Sequence, residues 1–291
     1  MNSAKLLQAT KRAAAFGITG TGSPAIDVDL LRARKEGVVG TRVAGQRKSF
    51  VASGMDLLIG LARFIAPRTV EVMDDAGNLR TLRGTHVVVN TGMVPFVPDV
   101  PGLRAAQPLT STTILALAEL PASIIIVGGG YIGCEFASML AIMGVQVTLL
   151  QRGSFLLPRE NNDVAAAVST ALEASGVSVS LGVEAVSVSR RNGTVSTELS
   201  DDATATAAEI LVAVGRTPVS AELGLDAAGI ELTDAGLVRV DEHLRATAEG
   251  VWAAGDVAGS PQFTHASWND FRILKSNLAG GSWSTRGRLV P

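Results

Sequence analysis

One cysteine, Cys134, is all the thiol this chain of 291 residues holds, which excludes an intrachain disulfide. No apolar run approaches the ~18 residues that a membrane span needs, and the N-terminus does not read as a signal peptide. A basic surplus is missing as well. With 25 Lys and Arg against 27 Asp and Glu, the net charge is −2, so nothing is left over to neutralise phosphates and nucleic acid is not an expected partner. The cluster Arg32, Arg34, Lys35 and the pair Arg47–Lys48 read as the solvated face of a helix. No metal site, short repeat or low-complexity segment is found. These absences leave a cytoplasmic globular protein whose partners are small molecules.

What is present is 47% hydrophobic and 18% charged residues, with length for about two domains and sizeable cores. The most informative stretch is Ser123–Ala137. Four β-favouring apolar residues run into Gly128-Gly129-Gly130, and a helix-forming stretch follows with Gly133. The G-x-G-x-x-G spacing assigns the three glycines separate tasks: the turn at Gly128, backbone approach to a pyrophosphate at Gly130, and helix-on-strand packing at Gly133. The positive end of the new helix then faces the anion. A second strand, Val145–Leu150, completes a βαβ unit. Cys134, in the first turn of that helix, reads as a small buried hydrophobe rather than a reactive thiol.

The remaining pattern alternates strands and helices. Helices are expected over residues 1–16, with Leu6, Ala9, Ala13 and Phe16 as the packing stripe, and over about 28–52, 162–175 and 267–278. Strands are expected near 57–64, 69–73, 80–83, 86–90, 177–181, 185–190, 194–199, 209–214 and 251–254, with 74–78 a hairpin turn. Alternation of this kind implies parallel sheets with ligands at the carboxyl ends of strands. Three such ends bear glycine: Thr91-Gly92, Gly128 to Gly133, and Gly255-Asp256.

Four motifs in this order resemble the flavin-dependent pyridine nucleotide-disulfide oxidoreductases, the family of glutathione reductase, dihydrolipoamide dehydrogenase and mercuric reductase. They are Val89-Asn90-Thr91-Gly92, Gly128 to Ala137, Val214-Gly215-Arg216-Thr217-Pro218, and Trp252-Ala253-Ala254-Gly255-Asp256-Val257. The stretch Pro261 to His265 is most similar to the mercuric reductase branch. The resemblance implies an α/β fold of two Rossmann-like domains, with an NAD(P)-binding domain (113–240) inserted in an incomplete FAD-binding domain (1–112 and 241–291). It implies FAD contacts at Thr91, Gly92, Ser111 and Asp256, and backbone amides of Gln262, Phe263, Thr264 and His265 against the flavin. On the nicotinamide side it implies Gly128, Gly129, Gly130, Ile132 and Gly133 at the pyrophosphate, with Ala185 and Gly215 lining the site. Tyr131 would cover the flavin where the nicotinamide enters, and Glu135 would sit by the flavin's reactive edge.

The implied activity is that of an FAD-dependent NAD(P)H oxidoreductase, passing hydride from NAD(P)H to FAD. The family's opening glycine-rich unit, Cys-x4-Cys pair with its nearby lysine, and dimerisation domain have no counterpart in the sequence. The family's homodimer is therefore not expected of this chain by itself, and a sheet without that first strand should expose apolar strand edges. The alternative is a non-catalytic nucleotide-binding remnant or gene fragment. Between the nicotinamide cofactors, Gln151 stands where an NAD-binding unit carries an acid, and Arg152 follows it. This pair favours NADP over NAD, because glutamine does not repel a 2′-phosphate and arginine pairs with one.

Overall fold

The computed structural model describes residues 1–20, 22 and 24–290. Residues 21, 23 and 291 lie outside them. The chain opens with helices α1 (Asn2–Arg12) and α2 (Val28–Ala52), then strands β1 (Leu61–Ala66), β2 (Thr69–Met73) and β3 (Leu79–Arg83). Strands β4 (Val87–Val89) and β5 (Met93–Pro95) precede the glycine-bearing unit of β6 (Ser123–Val127), α3 (Tyr131–Ile142) and β7 (Gln146–Gln151). Helix α4 (Asn162–Ala174) and β8 (Val177–Leu181) follow, then β9 (Ala185–Arg191), β10 (Thr194–Leu199), β11 (Thr204–Ala207) and β12 (Glu209–Val212). The last elements are β13 (Arg216–Pro218), β14 (Val251–Ala253) and α5 (Thr264–Leu278). Among the described residues no helix is long and apolar enough to cross a membrane.

Two compact units result: residues 1–46 with 95–215, and residues 47–94 with 216–291. These divisions differ from the expected boundaries at 112/113 and 240/241. Residues 95–112 join the first unit because Leu109 N–H donates to Ile210 O and Val212 N–H to Leu109 O, at 2.8 and 2.9 Å. Residues after 215 join the second because Phe64 N–H donates to Leu223 O, at 2.7 Å, and Val238 N–H to Val257 O, at 2.9 Å.

In the first unit β12, β6, β7 and β8 form a parallel sheet in that order. Ile124, Ile125 and Ile126 are at most 1% exposed, as a parallel strand covered on both faces requires. Each such burial contributes roughly 1.5–3 kcal/mol. Strands β9, β10 and β11 form an antiparallel sheet. Arg190 Nη1 and Nη2 reach the Glu209 carboxylate at 3.2 and 2.6 Å, tying β9 to β12. Helix α1 buries Ala4 and Leu7 and leaves Leu6 at 69% exposure, and Phe16, in the 3-10 turn that follows, is 74% exposed. Within α1 the packing face thus runs through Leu7 rather than the expected Leu6, since adjacent leucines fit either helical face, while Ala13 is buried as expected. Lys11 Nζ, donating to Ile142 O at 3.0 Å, and contacts with α3 fix the face that is used.

In the second unit β1, β2 and β3 form an antiparallel sheet, and β14 pairs in parallel with β4. Phe64, Val89, Val251, Ala253 and Val257 share its core. Among the described residues β14 is the one strand paired with β4, and Val88 at its centre is 42% exposed. The apolar strand is left incompletely covered. Strand β1 starts at Leu61 rather than 57, and α5 at Thr264 rather than 267.

Candidate dinucleotide site

The carboxyl end of β6 opens into the glycine turn, and each glycine meets a different environment. Gly128 has φ +110°, a region favouring glycine, and a Cβ there would lie 2.6 Å from Ala213 O. At Gly133 an added Cβ would lie 1.9 Å from Gly128 O, so helix and strand touch backbone to backbone. Gly130 differs from both. Its φ of −78° and ψ of −174° suit any residue, and a Cβ there would meet nothing within 4 Å. The fold does not need glycine at 130, and the space in front of it is open.

That space faces the start of α3. The N–H groups of Gly130 and Ile132 have no acceptor among the described residues, as expected of a helix N-terminus that keeps its donors for a ligand. Gly129 N–H instead donates to Gln151 Oε1 at 3.0 Å. Gln151 is 8% exposed, so the end of β7 is fastened to the turn through this side chain and its amide N–H2 is what remains for a ligand. Arg152 is exposed and makes no hydrogen bond or ion pair among the described residues. The segment 213–215 lies beside the turn, with Ala213 N–H donating to Val127 O at 2.8 Å, and Gly215 is exposed with φ +149°. Val183 N–H donates to Gln151 O at 3.2 Å, which brings the start of β9, with Ala185, toward the end of β7.

Tyr131 and Glu135 lie one turn apart on α3, both exposed. Cys134 is 7% exposed, and its thiol donates to Gly129 O at 3.5 Å. Burial pushes this thiol up from 9.0 to about 11, as fits a packing residue.

In the second unit the ends of β4 and β14 come together. Arg216 Nη1 donates to Asp256 Oδ2 at 2.5 Å and Nη2 donates to Met93 O at 2.6 Å. Gln262 Nε2 lies 3.2 Å from Met93 Sδ. The Thr91 hydroxyl donates to Val219 O at 2.6 Å, so its oxygen is already committed to the fold. Helix α5 begins at Thr264 with no side-chain cap. The amide N–H groups of Thr264 and His265 have no acceptor among the described residues, and the rings of Phe263 and His265 stack at 5.5 Å. These donors and Asp256 fit a ligand rich in acceptors and hydroxyls, as the flavin and ribityl parts of FAD are. Ser111, half-buried, belongs to the first unit.

The pyridine nucleotide-disulphide oxidoreductase family profile matches residues 14–270. The chain belongs to this family. Among its oxidoreductase relatives, a probable pyridine nucleotide-disulfide oxidoreductase, RclA of Escherichia coli, is 39% identical over 236 residues, covering 80% of this chain and 53% of RclA. Dihydrolipoyl dehydrogenase of Halobacterium salinarum is 36% identical over 276 residues, covering 92% of the chain and 58% of the relative. A solved structure of E. coli RclA, a flavoprotein disulfide reductase in complex with Cu(II), superposes with TM-score 0.86 at 32% identity, covering 97% of this chain and 62% of that one. LpdA from Mycobacterium tuberculosis superposes with TM-score 0.89 at 26% identity, covering 99% and 63%. The chain therefore spans little more than half the length of its curated relatives, and shares the mixed α/β fold of this oxidoreductase family over that span. Glu160, the partner of the Tyr131 phenol, carried no signal in the sequence. Arg216 stood inside a recognised motif without a role.

Proposed function

We propose that this chain binds a pyridine dinucleotide on the glycine turn and FAD at the Gly92, Asp256 and Gln262–His265 sites, and supports hydride transfer from NAD(P)H to FAD. The observation that carries the dinucleotide reading is Gly130: unstrained, with empty space where a side chain would stand, beside unpaired amides at the start of α3. Residues 113–240 are read as the nicotinamide-binding part, and 1–112 with 241–291 as the FAD-binding part. In this reading the N–H groups of Gly130 and Ile132 hold the pyrophosphate, and Gly215 and Ala185 border the rest of the dinucleotide. Tyr131 guards the entry, with Glu135 beside it. On the flavin side Asp256 accepts from the ribityl hydroxyls, while Thr264 and His265 N–H groups point at the ring. Thr91 serves through its backbone, and Ser111 is assigned to the same cofactor. Bound FAD supplies the electron acceptor for hydride; the chain binds and aligns.

NADP is favoured over NAD. With Gln151 Oε1 taken by Gly129 N–H, that side chain offers only donors to the ribose, which suits a 2′-phosphate, and Arg152 is free to pair with it. The chain's one cysteine is buried and hard to ionise, which favours a second reading in which the chain binds nucleotides without reducing a disulfide.

Calorimetric titration of the wild type and Gly130→Val with NADPH tests the dinucleotide reading. Binding by the wild type and none by a folded variant is the expected result, and equal affinities would falsify it. Flavin retention and dye reduction by NADPH, measured on the same protein, separate oxidoreductase from simple binder.

A further inference from the structure

Helix α5 carries a carboxylate that packing alone does not call for. Asp270 is fully buried, and its two oxygens face different partners. Oδ2 accepts Gly255 N–H at 2.8 Å, and Oδ1 accepts Arg288 Nη1 at 2.8 Å. Arg288 Nη2 reaches on to Ser260 Oγ at 3.3 Å. Gly255 opens the one-turn 3-10 helix Gly255–Ala258, which carries Asp256, and Ser260 follows just after it. The ion pair thus grips this turn at its first amide and again past its last residue.

Gly255 has φ +70°, and a Cβ there would stand 3.0 Å from Asn90 Oδ1 and 3.3 Å from Ser267 Oγ, so its backbone is hemmed in between the end of β4 and α5. The segment after α5 delivers Arg288. Trp283 N–H donates to Asn277 Oδ1 at 2.7 Å, Asn277 Nδ2 returns to Trp283 O at 2.9 Å, and Thr285 N–H donates to Glu242 O at 2.8 Å. A buried ion pair is a poor source of stability, because desolvation absorbs most of the attraction and apolar residues of similar size serve a core as well. Geometry is what it supplies: a carboxylate fixed by an arginine holds one amide in one place. Arg216 fixes the Asp256 carboxylate, while Asp270 fixes the backbone one residue before it.

We propose that Asp270 and Arg288 form a buried clamp that positions Asp256 for the ribityl hydroxyls and thereby sets how tightly this chain holds FAD. Both are positioning residues, since they act on the cofactor through the Gly255 turn. The proposal rests on the reading of Asp256 as an FAD ligand.

Titration of the full chain with FAD, followed by flavin fluorescence, tests the clamp, with circular dichroism and tryptophan fluorescence reporting whether each variant is folded. Arg288→Met should weaken FAD binding by roughly tenfold or more, the worth of one charge-assisted hydrogen bond, and Arg288→Lys should recover part of the loss. Asp270→Asn still offers Gly255 N–H an acceptor and strands no buried carboxylate. It should shift affinity the same way, and it serves where Arg288→Met does not fold. In an Asp256→Asn background either substitution should change affinity by about twofold or less, since residues that act through one another are not additive. A wild type that binds FAD, with folded variants that bind it as tightly, overturns the clamp and leaves the FAD site standing. An equal loss in both backgrounds overturns it too, because the pair then serves folding alone. A wild type that does not bind FAD removes both.

Discussion

Arg216 holds Asp256 at 2.5 Å with one guanidinium nitrogen and the Met93 carbonyl at 2.6 Å with the other. One planar, always-charged side chain thereby joins the loop after β4 to the turn after β14, the two strand ends assigned to FAD. A guanidinium makes two such bonds in fixed geometry, which an ammonium does not reproduce. The Asp256 side chain is 17% exposed, so removing Arg216 leaves a poorly hydrated carboxylate. Arg216→Met should lower the stability of the second unit by about 1.5–3 kcal/mol, and Arg216→Lys should restore part of it. All three tryptophans, Trp252, Trp268 and Trp283, belong to that unit. Urea unfolding followed by their fluorescence reads the effect.

Gly133→Ala and Gly130→Ala should separate folding from binding. At 133 the methyl would stand 1.9 Å from Gly128 O, and relieving it should cost about 1–3 kcal/mol. At 130 the methyl meets nothing, so stability should change by about 0.5 kcal/mol or less while NADPH affinity falls. Thermal melts by circular dichroism, with NADPH titrations on both variants, check the contrast. A Gly130→Ala variant as unstable as Gly133→Ala would show that 130 serves packing.

Gln151→Glu should keep the fold, because a carboxylate also accepts from Gly129 N–H. It should move preference from NADPH toward NADH by about tenfold or more, since a charge-assisted contact is worth roughly 1.5–3 kcal/mol. Affinities for both dinucleotides in both proteins decide the matter. Tighter NADH binding in the wild type, unmoved by the substitution, would contradict the assignment.

Cys134 links stability to alkaline pH. Its folded pKa, about 11, lies above the ordinary 9.0, so the folded state holds the proton more tightly than the unfolded chain. The resulting stability is fully present below pH 9.0 and is lost as pH rises toward about 11. Cys134→Ala should abolish this loss in denaturation series across that window. At neutral pH, alkylating reagents should reach the thiol only on unfolding.

Much of this was legible in the sequence because the informative features are local. The run Ser123–Val127 into Gly128 reports strand, turn and helix within a dozen residues, and residues 69–73, 177–181 and 194–199 are strands over the ranges their alternation implies. Strand β11 escaped notice because Thr204–Ala207 is short and its residues are small. The packing face of α1 was misjudged because Leu6 and Leu7 are equivalent until α3 is in place. Tyr131 and Glu160 are 29 residues apart, and Arg216 and Asp256 are 40 apart. Nothing in the spacing of either pair announces a contact, which depends on where loops return.

The two units share one chain by turns: the first takes residues 1–46 and 95–215, the second 47–94 and 216–291. During synthesis, β4 emerges long before its partner, since Val88 is matched to Trp252. The glycine-bearing sheet needs nothing later than Val212. The first unit can therefore mature on the ribosome while the second still waits, its first strands exposed, for residues 216–290 to be made.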